Sequence, residues 1–407
     1  MKVLFVHQNF PGQFGRLAAR LAADPSNRVV AIGESDLMRA RGPVPGVTAI
    51  GYPKPKGGGK ETHHYLRRFE GDVRRGQAAV RAAMDLKKKG FVPDVIYGNP
   101  GWGEMLFLKD VYPTARHVAL FEFFFRANEG DHGFDPELPV TLDDCLRLRM
   151  RNTTLVMSLD VADRIVCPTQ WQASRIPAPY QPKVAVVHDG IDTALCRPDA
   201  SAVFEHPAVP VPLRFGDEVL TYVARNLEPY RGFHWFMRAL PKVLAERPQA
   251  RVVIVGGDAV SYGRPAPEGK TWRETLLAEV GDRLDLSRVH FTGRLPFAQF
   301  VTLMQVSGVH AYLTYPFVLS WSVLEAMACG ALVAGSDTEP VREIIADKVD
   351  GFRVPYLDPA ALAAHLARAL ERRDRCDALR AAARARAVER YDFETVCLPA
   401  QLRLLQG

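Results

Sequence analysis

The sequence predicts an α/β protein of two domains, each built on a mostly parallel sheet. Three observations carry that expectation. The chain has 407 residues, more than one ordinary core fills and suited to two domains of roughly 150–200 residues each. Strand and helix signals alternate along it, which implies crossover connections and parallel pairing. The alternation runs through two rounds, with a proline-rich stretch between them.

The first round opens with a short apolar strand over 2–7 and a helix over 14–23 whose apolar residues recur at helical spacing. Strands follow over 28–32 and 46–52. The segment 54–60 (KPKGGGK) is a flexible basic loop, and 62–90 reads as one long helix with a basic face. Strands over 95–98 and 117–121 come next, the second running into Phe123, Phe124 and Phe125. Residues 128–140 are polar with Gly and Pro, hence a loop; 142–160 reads as a helix; 164–167 and 184–187 are the last strands of the round. Asp189 to Asp192 form a turn, and Arg197-Pro198 opens the proline-rich connection, which runs to about Pro212. The expected division is an N-terminal domain over 1–198, a linker over 199–214 and a C-terminal domain over 215–390. A final helix over 391–407 is expected to pack back on the N-terminal domain.

In the second round, strands over 219–224, 250–256, 289–292 and 309–313 alternate with helices over 233–246, 271–280 and 297–306. It runs into YPFVLSWSVLEAMACGALVAGSDTEPVREIIADKVDG over 315–351, the most informative stretch of the chain. Ser320-Trp321-Ser322 can cap a short helix, leaving backbone N–H groups and the positive end of the helix dipole at its start. Such a start is a site for phosphate. Glu325 lies in the first turns among Leu324, Ala326, Met327 and Ala328, where an acid is either solvent-facing or held for a ligand hydroxyl. Cys329-Gly330 ends the helix, 331–334 makes a buried strand, and Pro340 restarts a helix.

Composition excludes several classes. Hydrophobic content of 47% and charged content of 24% are globular values. There is no apolar run of about 18 residues, so no membrane span is expected. The start MKVLFVHQNF reads as a first strand and not as a signal peptide. The six cysteines are scattered with no C-x-x-C pair, against both a zinc site and a disulfide framework. A reducing cytoplasm is the expected compartment. The net charge of +6 owes much to arginines of Ala/Arg-rich helices, a solvated face. No nucleic-acid module is present. The balance stays compatible with a basic cleft for an anionic nucleotide or with weak contact to anionic lipid at the inner face of the membrane.

Several constellations could carry chemistry. Pro11-Gly12-Gln13-Phe14-Gly15 follows the first strand and enters a helix. Gly12 and Gly15 would let backbone approach a ligand, although a plain tight turn fits as well and the full dinucleotide fingerprint is missing. Arg225, at the end of the second domain's first strand, and Arg231-Gly232 could clamp a diphosphate by charge and forked hydrogen bonds; two surface arginines are the plain alternative. Glu122, at a strand end, could bind a hydroxyl, serve as a base, or be a buried structural acid. His117 reads as a core or surface histidine, and Asp131-His132 as a loop pair. The acidic loop over 129–137, with Arg67, Arg68, Arg74 and Arg75, is expected to line an acceptor. No metal site is expected, because helix N–H groups and arginines can replace a divalent cation and no Asp-x-Asp pair stands in a suitable loop; Asp143-Asp144 reads as helix capping.

Glu325-Ala326-Met327-Ala328-Cys329-Gly330 resembles the donor-binding segment of family-4 glycosyltransferases, whose GT-B fold has two Rossmann-like domains facing across a deep cleft. The resemblance implies a retaining, metal-independent enzyme that moves a sugar from a nucleotide-diphosphate sugar to an acceptor hydroxyl of a glycan, lipid-linked or small molecule. Polysaccharide or glycoconjugate biosynthesis is the implied setting, with no cofactor beyond the donor itself. It implies that Glu325 accepts hydrogen bonds from the donor ribose and that Arg225 and Arg231, the latter where relatives carry Lys, act on the diphosphate. Gly12 and Gly15 would face donor phosphates and acceptor. Gly256, in Val255-Gly256-Gly257-Asp258, would belong to a glycine-rich turn, and Phe291, Arg294 and Leu295 would border the nucleobase. Backbone N–H groups at Leu319, Ser320 and Trp321 would hold phosphate.

Two departures stand out. Phe317, eight residues before Glu325, replaces a carboxylate that contacts the transferred sugar in relatives. Glu122 stands where relatives often have His. Both imply a rebuilt sugar pocket beside a conventional nucleotide end. A nucleotide-sugar or glycan-binding protein without turnover would fit Phe317, and a phosphorylase or epimerase would fit the same architecture.

Overall fold

A computed structural model of the chain describes residues 1–127 and 130–406. It divides into two compact units, Met1–Asp189 with Cys397–Gly407, and Gly190–Val396.

The first unit is a seven-stranded sheet: β1 (Lys2–Val6), β2 (Arg28–Glu34), β3 (Thr48–Tyr52), β4 (Val95–Gly98), β5 (Arg116–Leu120), β6 (Arg164–Cys167) and β7 (Val184–Val186), in the order β3-β2-β1-β4-β5-β6-β7. Every pairing is parallel; Leu4, for example, lies opposite Val30 on one side and Ile96 on the other. Helices cover a parallel sheet on both faces, which is why the central strands read as unbroken apolar runs: Val3 to Val6 are all fully buried. The strand order reverses between β1 and β4, and in such sheets ligands bind at the carboxyl ends of the strands beside that reversal. Those ends are the segment after Val6, from His7 to Gly12, and Asn99-Pro100 after Gly98.

The second unit repeats the plan. Strands β10 (Val219–Asn226), β11 (Arg251–Gly257), β12 (Val289–Gly293), β13 (Val309–Tyr312), β14 (Val333–Ser336) and β15 (Phe352–Val354) form a parallel sheet in the order β12-β11-β10-β13-β14-β15. Its reversal lies between β10 and β13. The carboxyl ends there are 225–231 and 313–320, the two places where the sequence puts its arginines and its capped helix. Burying one Phe, Leu or Val side chain in such a core stabilises by roughly 1.5–3 kcal/mol, and β10, β11, β13 and β14 are apolar and buried over most of their length.

Several expectations are corrected. The stretch 199–214, expected as a linker, holds an antiparallel hairpin, β8 (Val203–His206) and β9 (Val209–Arg214), within the second unit. Pro210 and Pro212 are exposed on β9, as prolines must be on an edge strand that need not donate its N–H groups. The long helix begins at Arg67, and the helix expected over 142–160 is two, Leu142–Arg151 and Thr153–Val161. Asn152 divides them: its Nδ2 donates to Phe125 O at 2.6 Å and its Oδ1 accepts from Phe125 N at 3.1 Å. Asp144 does cap the first of these helices, in a reciprocal box with Thr141. A helix over Ser35–Arg41 is additional.

Of the final segment, the helix Leu398–Gln406 belongs to the first unit, where Gln401 Nε2 donates to His188 O at 3.0 Å. Among the described residues no helix is long and apolar enough to cross a membrane.

Candidate functional site

In the second unit the site forms where β10 and β13 end. Arg231 follows a tight turn after β10 and is only 7% exposed. Its Nη1 donates to Thr314 Oγ1 at 2.7 Å and to Val318 O at 2.9 Å, with Tyr312 Oη at 3.4 Å. Its own carbonyl accepts from Tyr222 Oη at 2.7 Å. Thr314 is fixed in turn by Ser336 at the end of β14, whose Oγ accepts from Thr314 N at 3.1 Å. Gly232 after it has φ 66°, and a Cβ there would lie 2.7 Å from Leu313 Cβ, so only glycine lets this turn close on the sheet.

Aromatic rings surround the guanidinium. Its Cζ lies 5.5 Å from the Tyr262 centroid and 6.0 Å from that of Phe317. Tyr230 packs on Tyr315, Phe317 and Tyr262 with centroids 4.9, 5.2 and 6.1 Å apart. A guanidinium screened from water by ring faces binds an anion more strongly than one in solvent. Phe317 is thus not an isolated loss of a carboxylate. It is 5% exposed and part of the wall around Arg231. Arg225 is unlike Arg231, since it is exposed at the end of β10.

Ser320 is the N-cap of the helix Trp321–Ala328, its side chain accepting from Ser322 N at 3.3 Å. Its own N–H is engaged, however, donating to Tyr312 Oη at 2.7 Å, and so does not point to a ligand. This corrects the expectation for Ser320: the hydroxyl that ends β13 anchors the loop before the helix begins. Leu319 is buried and Trp321 half-buried. Glu325 is 6% exposed, on a helix whose residues from Ser322 to Ala328 are all buried, which removes the solvent-facing alternative.

The glycine turn at the end of β11 has structural reasons of its own. A Cβ on Gly256 would lie 2.7 Å from Leu227 Cδ2 and 2.9 Å from Ala224 O. Arg294 Nη2 donates to Asn226 Oδ1 at 2.9 Å. The Phe291 ring has the Arg273 guanidinium 5.6 Å from its centroid, and Arg273 pairs with Asp258 at 2.8 Å. Leu295 packs at the edge of the second unit's core. Phe291 and Arg294 therefore have protein partners, and stacking on a base would have to use what those leave.

In the first unit, polar groups gather where β1, β4 and β5 end. Glu122, half-buried just past β5, accepts from Gln13 Nε2 at 2.5 Å and from Asn99 Nδ2 at 3.1 Å. Its backbone carbonyl accepts from Gln172 Nε2 at 2.6 Å. Asn99 is held by Gly101 N, 2.9 Å from its Oδ1. Gly12 has φ 47°, and a Cβ there would fall 2.6 Å from His7 Cε1, so the loop lies directly on that imidazole. Burial lowers the pKa of His7 to about 4, and the Gln13 side chain, which favours the protonated ring, only partly offsets it. Gly15 opens the helix Gly15–Ala22, its Cβ position 3.3 Å from Pro11 Cβ.

Other expectations in this unit change. His117 is a core histidine. Asn128 and Glu129 lie outside the described residues. Of the remaining acidic loop, Asp131 and Asp135 are buried, so they do not form an exposed acidic lining. Asp72, on the basic helix, is buried too and accepts from Thr154 Oγ1 at 2.7 Å and Arg75 Nη1 at 3.3 Å. That turns part of the basic face inward. Sequence reading did not single out Asn99, Gln172, Glu228, Tyr230 or Tyr262. For Asn99 a signal existed, a polar residue directly at a strand end before Pro-Gly; the others show no pattern that marks them.

Both units match known families. Residues 25–196 match the glycosyl transferase family 4 group, and residues 217–372 match the glycosyl transferases group 1. A D-inositol 3-phosphate glycosyltransferase of Thermobispora bispora is 28% identical over 55% of this chain and 52% of its own length. A phosphatidyl-myo-inositol mannosyltransferase of Mycolicibacterium smegmatis is 32% identical over 45% of this chain and 43% of its own. The chain thus spans about half the length of the curated relatives it matches.

Among solved structures, a sucrose-phosphate synthase from Thermosynechococcus elongatus has a TM-score of 0.72 at 17% identity, covering 100% of this chain and 98% of that one. The Anabaena HepE protein in complex with UDP has a TM-score of 0.68 at 17% identity, covering both chains in full (100%). At that identity the likeness establishes the fold, two Rossmann-like units of the GT-B class. With the two matched regions together, the chain belongs to the family-4, group 1 glycosyltransferases.

Proposed function

We propose that this chain transfers a sugar from a nucleotide-diphosphate sugar to an acceptor hydroxyl, with retention at the anomeric carbon and without a divalent metal. The observation that carries the reading is Arg231, a buried guanidinium anchored at the strand-order reversal and walled by aromatic rings. As the bond to the leaving diphosphate breaks, negative charge builds on its oxygens. A fixed cation in a water-poor setting stabilises that charge at no cost of reorganisation. Arg225, exposed, adds charge at the same strand end, and two arginines can stand in for a divalent cation. Glu325 would take the ribose hydroxyls, and Gly256, Phe291, Arg294 and Leu295 would border the base. Phe317, Leu319 and Trp321 would flank the donor.

In the first unit Glu122 would receive the acceptor hydroxyl, with Gly12 and Gly15 beside it. Two amide donors, from Gln13 and Asn99, hold its carboxylate in place for that role. The names of the inositol-directed relatives make a polyol or its phosphate, free or on a lipid, the first acceptor class to try. A cytoplasmic setting with access to anionic lipid suits either acceptor. A reading as a binding protein without turnover is favoured by Phe317, since an apolar ring cannot accept a sugar hydroxyl.

A thermal-shift screen with UDP-, GDP-, dTDP- and ADP-sugars tests the donor side. A ligand of the folded state at 100 times its dissociation constant stabilises by about 2.7 kcal/mol. A shift with one base followed by transfer to an inositol acceptor supports the enzyme; a shift with no donor hydrolysis or transfer supports the binding protein.

A further inference from the structure

We propose that Glu228 is a positioning residue of the donor site, holding the backbone of 261–263 so that the Tyr262 ring stays against the Arg231 guanidinium. The inference rests on the donor-site reading of Arg231. Glu228 lies between Arg225 and Arg231 in the chain, and by sequence alone it is one more charge in a charged turn. In the structure it is 1% exposed.

Its carboxylate collects three consecutive backbone N–H groups. Oε2 accepts from Ser261, Tyr262 and Gly263 at 3.1, 3.2 and 3.0 Å, and Oε1 lies 3.2 and 3.3 Å from Ser261 N and Tyr262 N. A carboxylate taken out of water needs such donors, and the donors in turn need it. Asn226 adds a second tie, its Nδ2 donating to Ser261 Oγ at 2.7 Å.

The consequence falls on Tyr262. Its ring is 5.5 Å from Arg231 Cζ and 5.0 Å from Phe317, so the loop that Glu228 fixes supplies one wall of the arginine's surroundings. Without the carboxylate the three amides lose their acceptor, the loop moves to satisfy them elsewhere, and the ring leaves with it. Arg231 stays, held by Thr314 and Val318, but it becomes hydrated and holds an anion more weakly.

Calorimetric titration with UDP, GDP and ADP, on wild type and on Arg231→Ala, Glu228→Gln, Glu228→Asp, Tyr262→Ala and the Glu228→Gln/Tyr262→Ala double variant, tests this. The tightest-binding nucleotide is expected to bind Glu228→Gln roughly two- to thirtyfold more weakly, the range that cation–π contacts span from exposed to desolvated settings. Tyr262→Ala is expected to match it, Glu228→Asp to recover part of the loss, and the double variant to lose no more than Tyr262→Ala alone. If Arg231→Ala weakens binding while both Glu228 variants leave it unchanged, the positioning role is wrong and the donor site stands. Losses that add in full in the double variant also overturn it, since Glu228 would then act independently of Tyr262. If wild type binds none of the three nucleotides, or Arg231→Ala leaves binding unchanged, the donor-site reading fails and this inference with it.

Discussion

The Phe317 ring meets Tyr262 edge-on, centroids 5.0 Å apart. Phe317 thereby closes an aromatic wall beside Arg231. Phe317→Ala should cost about 3–5 kcal/mol of stability, as for other buried aromatic truncations, read by urea unfolding. A loss below about 1 kcal/mol would show that the ring is not packed in the wall. Phe317→Glu should weaken nucleotide-sugar binding, because a new carboxylate beside Arg231 would compete with the diphosphate; tighter binding would mean that the family's arrangement survives intact around this position.

Gln13 and Asn99 together hold the Glu122 carboxylate. Gln13→Ala should lower the transfer rate, by roughly tenfold if one well-placed hydrogen bond to a charged group is lost. Nucleotide binding should be unchanged, since the hydrogen bond Gln13 makes is to Glu122, the proposed acceptor-side residue. Steady-state kinetics with donor titration separates the two. An equal loss of nucleotide binding would move Gln13 and Glu122 to the donor.

Much of this was legible in the residues, for physical reasons. Parallel strands buried on both faces are continuous apolar runs, so β1, β4, β10, β11 and β13 stand out. Ser320 and Glu325 stand out because capping and a lone acid in a small apolar helix break a simple pattern. The hairpin at 203–214 did not, because its prolines look like a connection; only the sheet edge shows that they need no partners. The helix break at Asn152 did not, because its cause is a distant pair of hydrogen bonds to Phe125. Glu228 and Tyr262 were invisible for the same reason, meeting across 34 residues of chain.

Acid should destabilise the fold. Burial lowers His7, His117, His188 and His310 from 6.5 to about 4. A base with a depressed pKa leaves the unfolded chain binding more protons, so its stability contribution is full above 6.5 and is lost as pH falls toward 4. Each such shift is worth roughly 3 kcal/mol by linkage. Glu104 opposes them: burial raises it from 4.5 to about 7, so its contribution is lost as pH rises across much of the same window. Burial raises Asp72 as well, but four histidines outweigh these two acids, and stability should fall between pH 6.5 and 4. His310→Asn, which keeps a partner for Thr221, should flatten that fall in urea titrations. An unchanged slope would show that His310 is not buried neutral.

The central claim is that the carboxyl ends of β10 and β13 bind a nucleotide-diphosphate sugar. Binding of UDP-, GDP-, dTDP- and ADP-sugars to wild type, Arg225→Ala, Arg231→Ala and Glu325→Ala, measured by calorimetry, tests it most directly. Arg225→Ala is the control least open to misfolding, being exposed. One base should bind wild type, and Arg231→Ala should weaken it by about 30-fold or more, the scale for losing a buried charged partner. Glu325→Ala should weaken it by roughly tenfold, and Arg225→Ala by less than Arg231→Ala. Unchanged affinity in both Arg231→Ala and Glu325→Ala would contradict the account.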